Sequence, residues 1–212
     1  MKPATIYIFR HGETDWNVQR RFQGHTDISL NENGRRQAKV LAGELKQHQV
    51  QVILSSDLSR ALETAKIASY DLHIPIEISK SLREAQLGKP EGELRDDIVK
   101  IYGEESWQRW LSVKPEDMEF CFPEGETKRA HLNRIKHYLE SYLLDHPDVE
   151  RVGVSTHGGS LRRMVHFCEG SPSDPIPIPN CSMFKLEFNR DKKTWKFLGV
   201  VAANEAPEKL FS

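Results

Sequence analysis

Two histidines stand where chemistry is easily arranged. His11 lies in Arg10-His11-Gly12-Glu13-Thr14, directly after the apolar run Thr5-Ile6-Tyr7-Ile8-Phe9, and His157 follows Val152-Gly153-Val154-Ser155-Thr156 and precedes Gly158-Gly159. Each run reads as a buried β-strand, so each histidine is delivered at a strand's carboxyl end, where open α/β sheets keep their ligands. Arg10 flanks the first histidine, and Arg60 falls in the first turn after Ser55-Ser56-Asp57. Guanidiniums, imidazoles and helix N-terminal N–H donors converging on one point make an anion cradle, and the planar fork of arginine suits two phosphate oxygens at once. A phosphoryl group is the ligand this chemistry fits.

The elements that must hold these groups follow from periodicity. Ala38, Leu41, Ala42 and Leu45 recur at helical spacing behind Asn31, an N-cap type; Val50 to Leu54 is a short strand rich in β-branched residues; Leu58, Ala61, Leu62, Ala65 and Ala68 mark a second helix. Strand, helix, strand, helix is the α/β pattern. Ile76 to Ile78 reads as a further strand, before the turn Gly88-Lys89-Pro90-Glu91-Gly92 and helical pieces around Asp96 to Tyr102 and Glu105 to Leu111. The stretch from Ser112 to Glu126 has no period and is expected to form part of a lid. Leu132, Ile135, Leu139, Tyr142 and Leu143 define a long amphipathic helix ended by Asp145-His146-Pro147, a helix from about Ser160 to Cys168 follows the second histidine, and Met183 to Phe188 with Trp195 to Val201 form a terminal antiparallel pair. The expectation is a single three-layer α/β domain over 1–212, a mainly parallel sheet with helices on both faces and a small helical cap over roughly 88–126.

Composition narrows the class. The 212 residues are 38% hydrophobic and 29% charged, enough to bury a core, and the formal net charge of −1 gives no field to draw nucleic acid or an anionic membrane. The apolar run before Arg10 is too short for a signal-peptide core or a membrane span, so a cytoplasmic location is expected. Cys121, Cys168 and Cys181 form no Cys-x-x-Cys pair and read as free thiols. Among the other histidines, His25, His48, His73, His131, His137, His146 and His166, neither His-x-x-x-His nor His-Glu-x-x-His spacing occurs, which argues against a zinc site.

Several blocks in order carry a family resemblance. Arg10 to Thr14 with Asn17, Phe22-Gln23-Gly24, Ser55-Ser56-Asp57-Leu58-Ser59-Arg60-Ala61 with Thr64-Ala65, Leu82-Arg83-Glu84, Pro123 with Gly125-Glu126-Thr127, and Ser155 to Gly159 cover most of the chain. Together they resemble the phosphoglycerate-mutase-like branch of the histidine phosphatase superfamily, most closely its short phosphatases of broad-specificity or alpha-ribazole phosphatase type. The resemblance implies that His11 is the nucleophile, that Arg10, Arg60 and His157 hold the phosphoryl oxygens, that Asn17, Gln23, Gly24 and Gly158 line the pocket, and that Glu84 protonates the leaving oxygen and then activates water. A cradle with this many cationic groups can dispense with Mg²⁺, so no metal and no cofactor are expected. The physics agrees: two guanidiniums disfavour the imidazolium and keep His11 nucleophilic, and a phosphohistidine splits one hard step into two.

Each residue also has a plainer reading. Arg60 alone would suit a solvated pair with Glu63, Glu84 a common turn glutamate, His25 either a loop role or a substrate contact, and Trp107, Trp110, Phe120 and Phe122 either cap packing or an apolar wall of the pocket. Related mutases resemble the chain at the same histidines but carry an extra segment after the glutamate, with a Tyr-Gly pair, that closes over a bisphosphate. Here Leu87 to Gly92 runs straight on, and Tyr102-Gly103 comes later; Pro90 stands where many relatives have an aromatic. The expected activity is therefore metal-independent hydrolysis of a small phosphomonoester. A cofactor-dependent phosphoglycerate mutase and a non-catalytic phospho-ligand-binding module are the alternatives. Sugar phosphates, phosphoglycerates, phosphoserine and ribazole phosphate are the substrates the resemblance suggests.

Overall fold

A computed structural model of the chain describes residues 1–202, so residues 203–212 of the expected single domain lie outside the described residues. Its frame is a sheet of six strands: β1 (Ala4–Arg10), β2 (Val52–Ser55), β3 (Ile76–Ile78), β4 (Arg151–Thr156), β5 (Met183–Asn189) and β6 (Thr194–Ala202), in the order β3-β2-β4-β1-β5-β6. The four on the β3 side are parallel, while β5 and β6 join antiparallel. The helices are α1 (Asp15–Val18), α2 (Glu32–Gln47), α3 (Ser59–Ser69), α4 (Arg95–Leu111), α5 (Lys128–Asp145) and α6 (Gly158–Phe167).

Alternation along β1 decides the layering. Ile6 and Ile8 point into a core shared with Leu132, Ile135 and Leu139 of α5 and Leu161, Met164 and Val165 of α6. Tyr7 and Phe9 point the other way, against Leu41 and Leu45 of α2 and Ala65 and Ala68 of α3. The result is the three-layer α/β architecture expected from the element pattern. A third cluster stands apart from the sheet: Ala85, Leu87, Ile98, Trp107, Trp110, Phe120 and Phe122, with Phe22 packed against it. The segment with two helical pieces is α4, broken at Gly103, whose φ of +84° interrupts it. The aperiodic stretch after it contributes a 3-10 turn at Pro115–Asp117 and the two buried phenylalanines. No helix among the described residues is long and apolar enough to cross a membrane.

Register places the chemistry. Arg10, last in β1, pairs with Thr156, last in β4, and Ser55, last in β2, pairs with Ser155. The residues after three adjacent strands therefore leave the sheet together at one edge. The loop after β1 is pinned there by α2: Asn31 caps that helix through Gly34 N at 2.8 Å and donates to Glu13 Oε1 at 3.0 Å.

Gly34 lies under the same loop, and a Cβ on it would fall well inside contact distance of the Glu13 backbone. Alanine gains up to about 1 kcal/mol over glycine within a helix, yet overpacking against backbone costs roughly 1–3 kcal/mol. Gly34→Ala is therefore expected to lower unfolding free energy in urea, and an increase would show that the loop yields freely.

Candidate active site

His11 leaves β1 with its amide bonded to Thr156 O at 2.9 Å, and its ring is almost wholly buried. Nδ1 lies 2.7 Å from Gly12 O; a carbonyl only accepts, so Nδ1 carries the proton and the neutral ring keeps its lone pair at Nε2. Burial is the largest cause holding His11 well below the usual histidine pKa, followed by Arg60 and Arg10. Sequence reasoning credited the guanidiniums alone, because desolvation becomes visible only once the helices close around the ring.

Arg60 is fully buried near the start of α3. Its Nη1 donates to Thr26 O and its Nη2 to Gly24 O, both at 2.8 Å, and its Nε donates to His157 Nδ1 at 3.2 Å. Burial brings its pKa down to about 10, which leaves it charged at neutral pH. Glu63, the partner of the plainer reading, bonds Arg35 instead. Arg10 donates through Nη1 to Ile178 O at 2.7 Å, while its buried Nε has no hydrogen-bond partner among the described residues.

His157 caps the start of α6, edge-on to His11 with ring centroids 5.3 Å apart. Its Nδ1 receives Arg60 Nε, so its proton sits on Nε2 and is shared with Ser56 Oγ at 2.9 Å. Burial, then Arg60, then His11 hold it well below the usual value. Both ring nitrogens are thus engaged by the protein, and His157 is not among the residues lining the cavity. Glu84 does line it. Its Oε2 accepts from Gly159 N at 2.8 Å and its Oε1 from Ser160 N at 3.1 Å and Ala85 N at 2.9 Å. Glycine at 159 is needed by this approach, since a Cβ would overlap the carboxylate.

The cavity measures about 750 Å³, within the range of small-molecule sites. Arg10, His11, Asn17, Gln23, Gly24, Arg60, Glu84 and Gly158 all line it, so every expected site residue except His157 faces one space. Asn17 Oδ1 accepts from Thr14 N and Asn180 Nδ2, each at 3.1 Å, which turns its amide nitrogen to the cavity. Trp107 and Trp110 belong to the aromatic cluster and also wall the pocket, so both readings of these two hold. His25 takes the loop role: Nε2 lies 2.9 Å from Glu84 O, outside the lining.

Sequence reasoning missed four contributors. The Glu91 carboxylate accepts from His25 N, Thr26 N and Leu87 N, each at 3.0 Å, and from Thr26 Oγ1 at 2.9 Å, thereby fixing the loop whose carbonyls hold Arg60. Buried His131 places Nε2 3.0 Å from Ser160 Oγ and 3.9 Å from Glu84 Oε1. Asn180 donates to His11 O at 3.0 Å, and Arg162 lines the cavity. These contacts join distant segments; of the four, Arg162 alone had a local signal, its spacing of one helical turn from Gly158.

Known proteins resemble the chain in sequence and in fold. A probable phosphoglycerate mutase GpmB of Escherichia coli O1:K1 is 33% identical over 186 residues, covering 86% of this chain and 84% of that protein. A mycobacterial glucosyl-3-phosphoglycerate phosphatase complexed with VO3 superposes with a TM-score of 0.77 at 25% identity, over 94% of this chain and 100% of the other. A phosphoglycerate mutase from Bacillus anthracis str. Sterne superposes with a TM-score of 0.82 at 25% identity, over 94% and 93%.

His11, His131 and His157 are all held well below the histidine reference of 6.5. The unfolded chain then binds more protons than the folded one as pH falls through that value, so stability is complete above it and is lost toward the lower folded pKa values. The melting temperature is expected to fall steeply between about pH 6.5 and 5 in calorimetry; a flat profile there would mean the rings are protonated in the fold. The model of the histidine phosphatase superfamily (branch 1) matches residues 6–201, and the chain belongs to that family.

Proposed function

We propose that the protein is a metal-independent phosphomonoester hydrolase that works through a phosphohistidine. The observation that carries this reading is the His11 ring: Nδ1 is tied to Gly12 O, and burial with two neighbouring guanidiniums favours the neutral base. In the first step Nε2 attacks phosphorus, the N–P bond forms as the P–O ester bond breaks, and Glu84 delivers a proton to the leaving oxygen. In the second, Glu84 takes a proton from water as the water oxygen displaces His11, releasing inorganic phosphate. Arg10 and Arg60 balance the roughly two negative charges of the ester, the buried Arg10 Nε having no hydrogen-bond partner among the described residues. His157 would hold a further oxygen in its other tautomer, with Nδ1–H donating to that oxygen in place of the bond from Arg60 and Nε2 accepting from Ser56 Oγ, while Asn17, Gln23, Gly24 and Gly158 surround the group.

No metal is invoked, because the cationic donors meet the charge demand themselves. Residues 88–126 are proposed to act as the cap of one domain, and the working partner is a small phosphomonoester in the cytoplasm, with no nucleic acid or membrane. Hydrolysis is favoured over mutase chemistry by the direct run from Glu84 to Gly92, since a mutase must shield its phosphohistidine from water. The name of the Escherichia coli relative keeps the mutase reading in play.

Rapid quenching with a labelled aryl phosphate should trap acid-labile, base-stable phosphate on the protein, and His11→Ala should cut turnover by about three orders of magnitude or more. Loss of only a few-fold would remove His11 as nucleophile. Interconversion of 2- and 3-phosphoglycerate outrunning phosphate release would replace hydrolysis by the mutase reading. Activity that collapses in EDTA and returns with Mg²⁺ would overturn metal independence. Glu84→Gln is expected to slow alkyl phosphates far more than aryl phosphates, whose leaving group needs no proton; equal losses would leave Glu84 a positioning role.

A further inference from the structure

The two chemical steps give His131 no task, although its imidazole is wholly buried near the start of α5. Its Nδ1 has no hydrogen-bond partner among the described residues. A buried nitrogen left in that state is costly, and a leucine filling the same space would avoid the cost. The reason for an imidazole at 131 must lie at Nε2, which stands 3.0 Å from Ser160 Oγ and 3.9 Å from Glu84 Oε1. The Ser160 hydroxyl spends its one proton on Arg83 O at 3.2 Å, so toward His131 it only accepts, and Nε2 carries the ring proton. Burial is the largest cause holding the His131 pKa well below the usual histidine value, followed by Arg134 and Arg163, with His25 adding to them and the Arg83 carbonyl opposing. A neutral ring forms no ion pair with Glu84. An imidazolium at that distance would favour the charged carboxylate and hinder it from taking up a proton.

Ser160 also seats the acid–base group. Its amide donates to Glu84 Oε1 at 3.1 Å beside the Ala85 amide at 2.9 Å, while Oε2 accepts from Gly159 N at 2.8 Å. A carboxylate oxygen has two lone pairs, so two amides fill Oε1 and one amide leaves a place open on Oε2. The main chain of Glu84 is fixed separately, its carbonyl accepting from Arg134 Nη2 at 3.2 Å and lying 2.9 Å from His25 Nε2. What remains to be set is the fit of the first turn of α6 against residues 83–85. The contacts from His131 Nε2 to Ser160 Oγ and from Ser160 Oγ to Arg83 O set it.

We propose that His131 is a positioning residue for the acid–base step: through Ser160 it holds the first turn of α6 against Glu84, so that Oε1 stays saturated and the exchanged proton is carried on Oε2. The inference rests on the hydrolytic reading, in which Glu84 carries that proton. As the P–O ester bond breaks, the proton passes from Oε2 to the leaving oxygen; as water attacks the phosphohistidine, a proton of that water returns to Oε2. His131 neither gives nor takes a proton. It acts through geometry, and a displacement of about 1 Å is enough to cost roughly 10²-fold in rate.

Matched alkyl and aryl phosphates separate this role from general damage, because an aryl leaving group needs no proton. In steady-state kinetics His131→Leu is expected to lower kcat for the alkyl ester at least about tenfold more than for the aryl ester, a part of the roughly 10²–10⁴-fold that acid–base catalysis contributes. Ser160→Ala should show the same selective loss, and the double variant should lose no more than about twofold beyond either, as groups acting through one contact do. His131→Gln, whose Nε2–H can donate to the same hydroxyl, should bring the alkyl-to-aryl ratio back to within about threefold of the parent. Nitrogen-15 spectra of the ring check the arrangement without turnover, with the Nε2–H tautomer expected at neutral pH. Equal losses on both esters, a ratio unchanged in Ser160→Ala, no recovery in His131→Gln, or a ring found charged or protonated at Nδ1 would each overturn the proposal. Should His131→Leu not fold, Ser160→Ala and the spectra decide. Failure of the hydrolytic reading would appear separately, as an absence of phosphate release from either ester in the parent.

Discussion

The structure depends on burying two guanidiniums at the end of a parallel sheet without giving either a carboxylate partner among the described residues. A buried unpaired ion costs several kcal/mol, and each hydrogen bond from a charged donor recovers about 1.5–3 kcal/mol. Arg60 meets this with the carbonyls of Gly24 and Thr26 and with His157 Nδ1, and Arg10 with the Ile178 carbonyl. Carbonyl dipoles stabilise a cation without neutralising it. A carboxylate in the same position would have consumed the field that the site offers to an anion. The loop over 23–27 must therefore bend back over α3, and the Glu91 carboxylate, gathering three amides and a hydroxyl, is what keeps it there.

The same constraint sets the state of the histidines. Desolvation and the neighbouring guanidiniums act in one direction on His11 and His157, and their backbone and side-chain partners then choose the tautomers. His11 turns a lone pair outward because Gly12 O fixes its proton inward; His157 turns its lone pair to Arg60 and its proton to Ser56. Two chemically identical rings thereby acquire different capacities. The difference comes from which strand end each leaves and which loop folds across it.

The aromatic cluster supplies the remaining wall, and it is fastened to the sheet by cations of the core. Lys128 Nζ donates to Arg109 O and Ser112 O at 2.6 and 2.7 Å, and Arg163 reaches Trp110 O, so the carbonyl end of α4 is held by side chains from α5 and α6. Burial lowers the Lys128 pKa to about 7. The break at Gly103 turns the second half of α4, and with it Trp107 and Trp110, over the cavity that Arg10 and His11 floor.

Much of this was legible in the residues alone, wherever a property is local. A short apolar run made Thr5 to Phe9 a strand, helical spacing and Asn31 made α2, and Pro147 ended α5, because propensity, period and capping act over a few residues. The ordered motif blocks were enough to bring Arg10, His11, Arg60, Glu84 and His157 together as candidates. Tertiary structure alone decided how they stand: that desolvation outweighs the guanidiniums at His11, that His157 faces Arg60 rather than the cavity, and that Glu84 rests on the first amides of α6. It also decided that Glu91, His131 and Asn180 hold the site, and that Arg162 enters it while Arg163 does not. Burial, close approach and hydrogen-bond partners between segments far apart in the chain exist only after the layers pack, and no period or spacing encodes them.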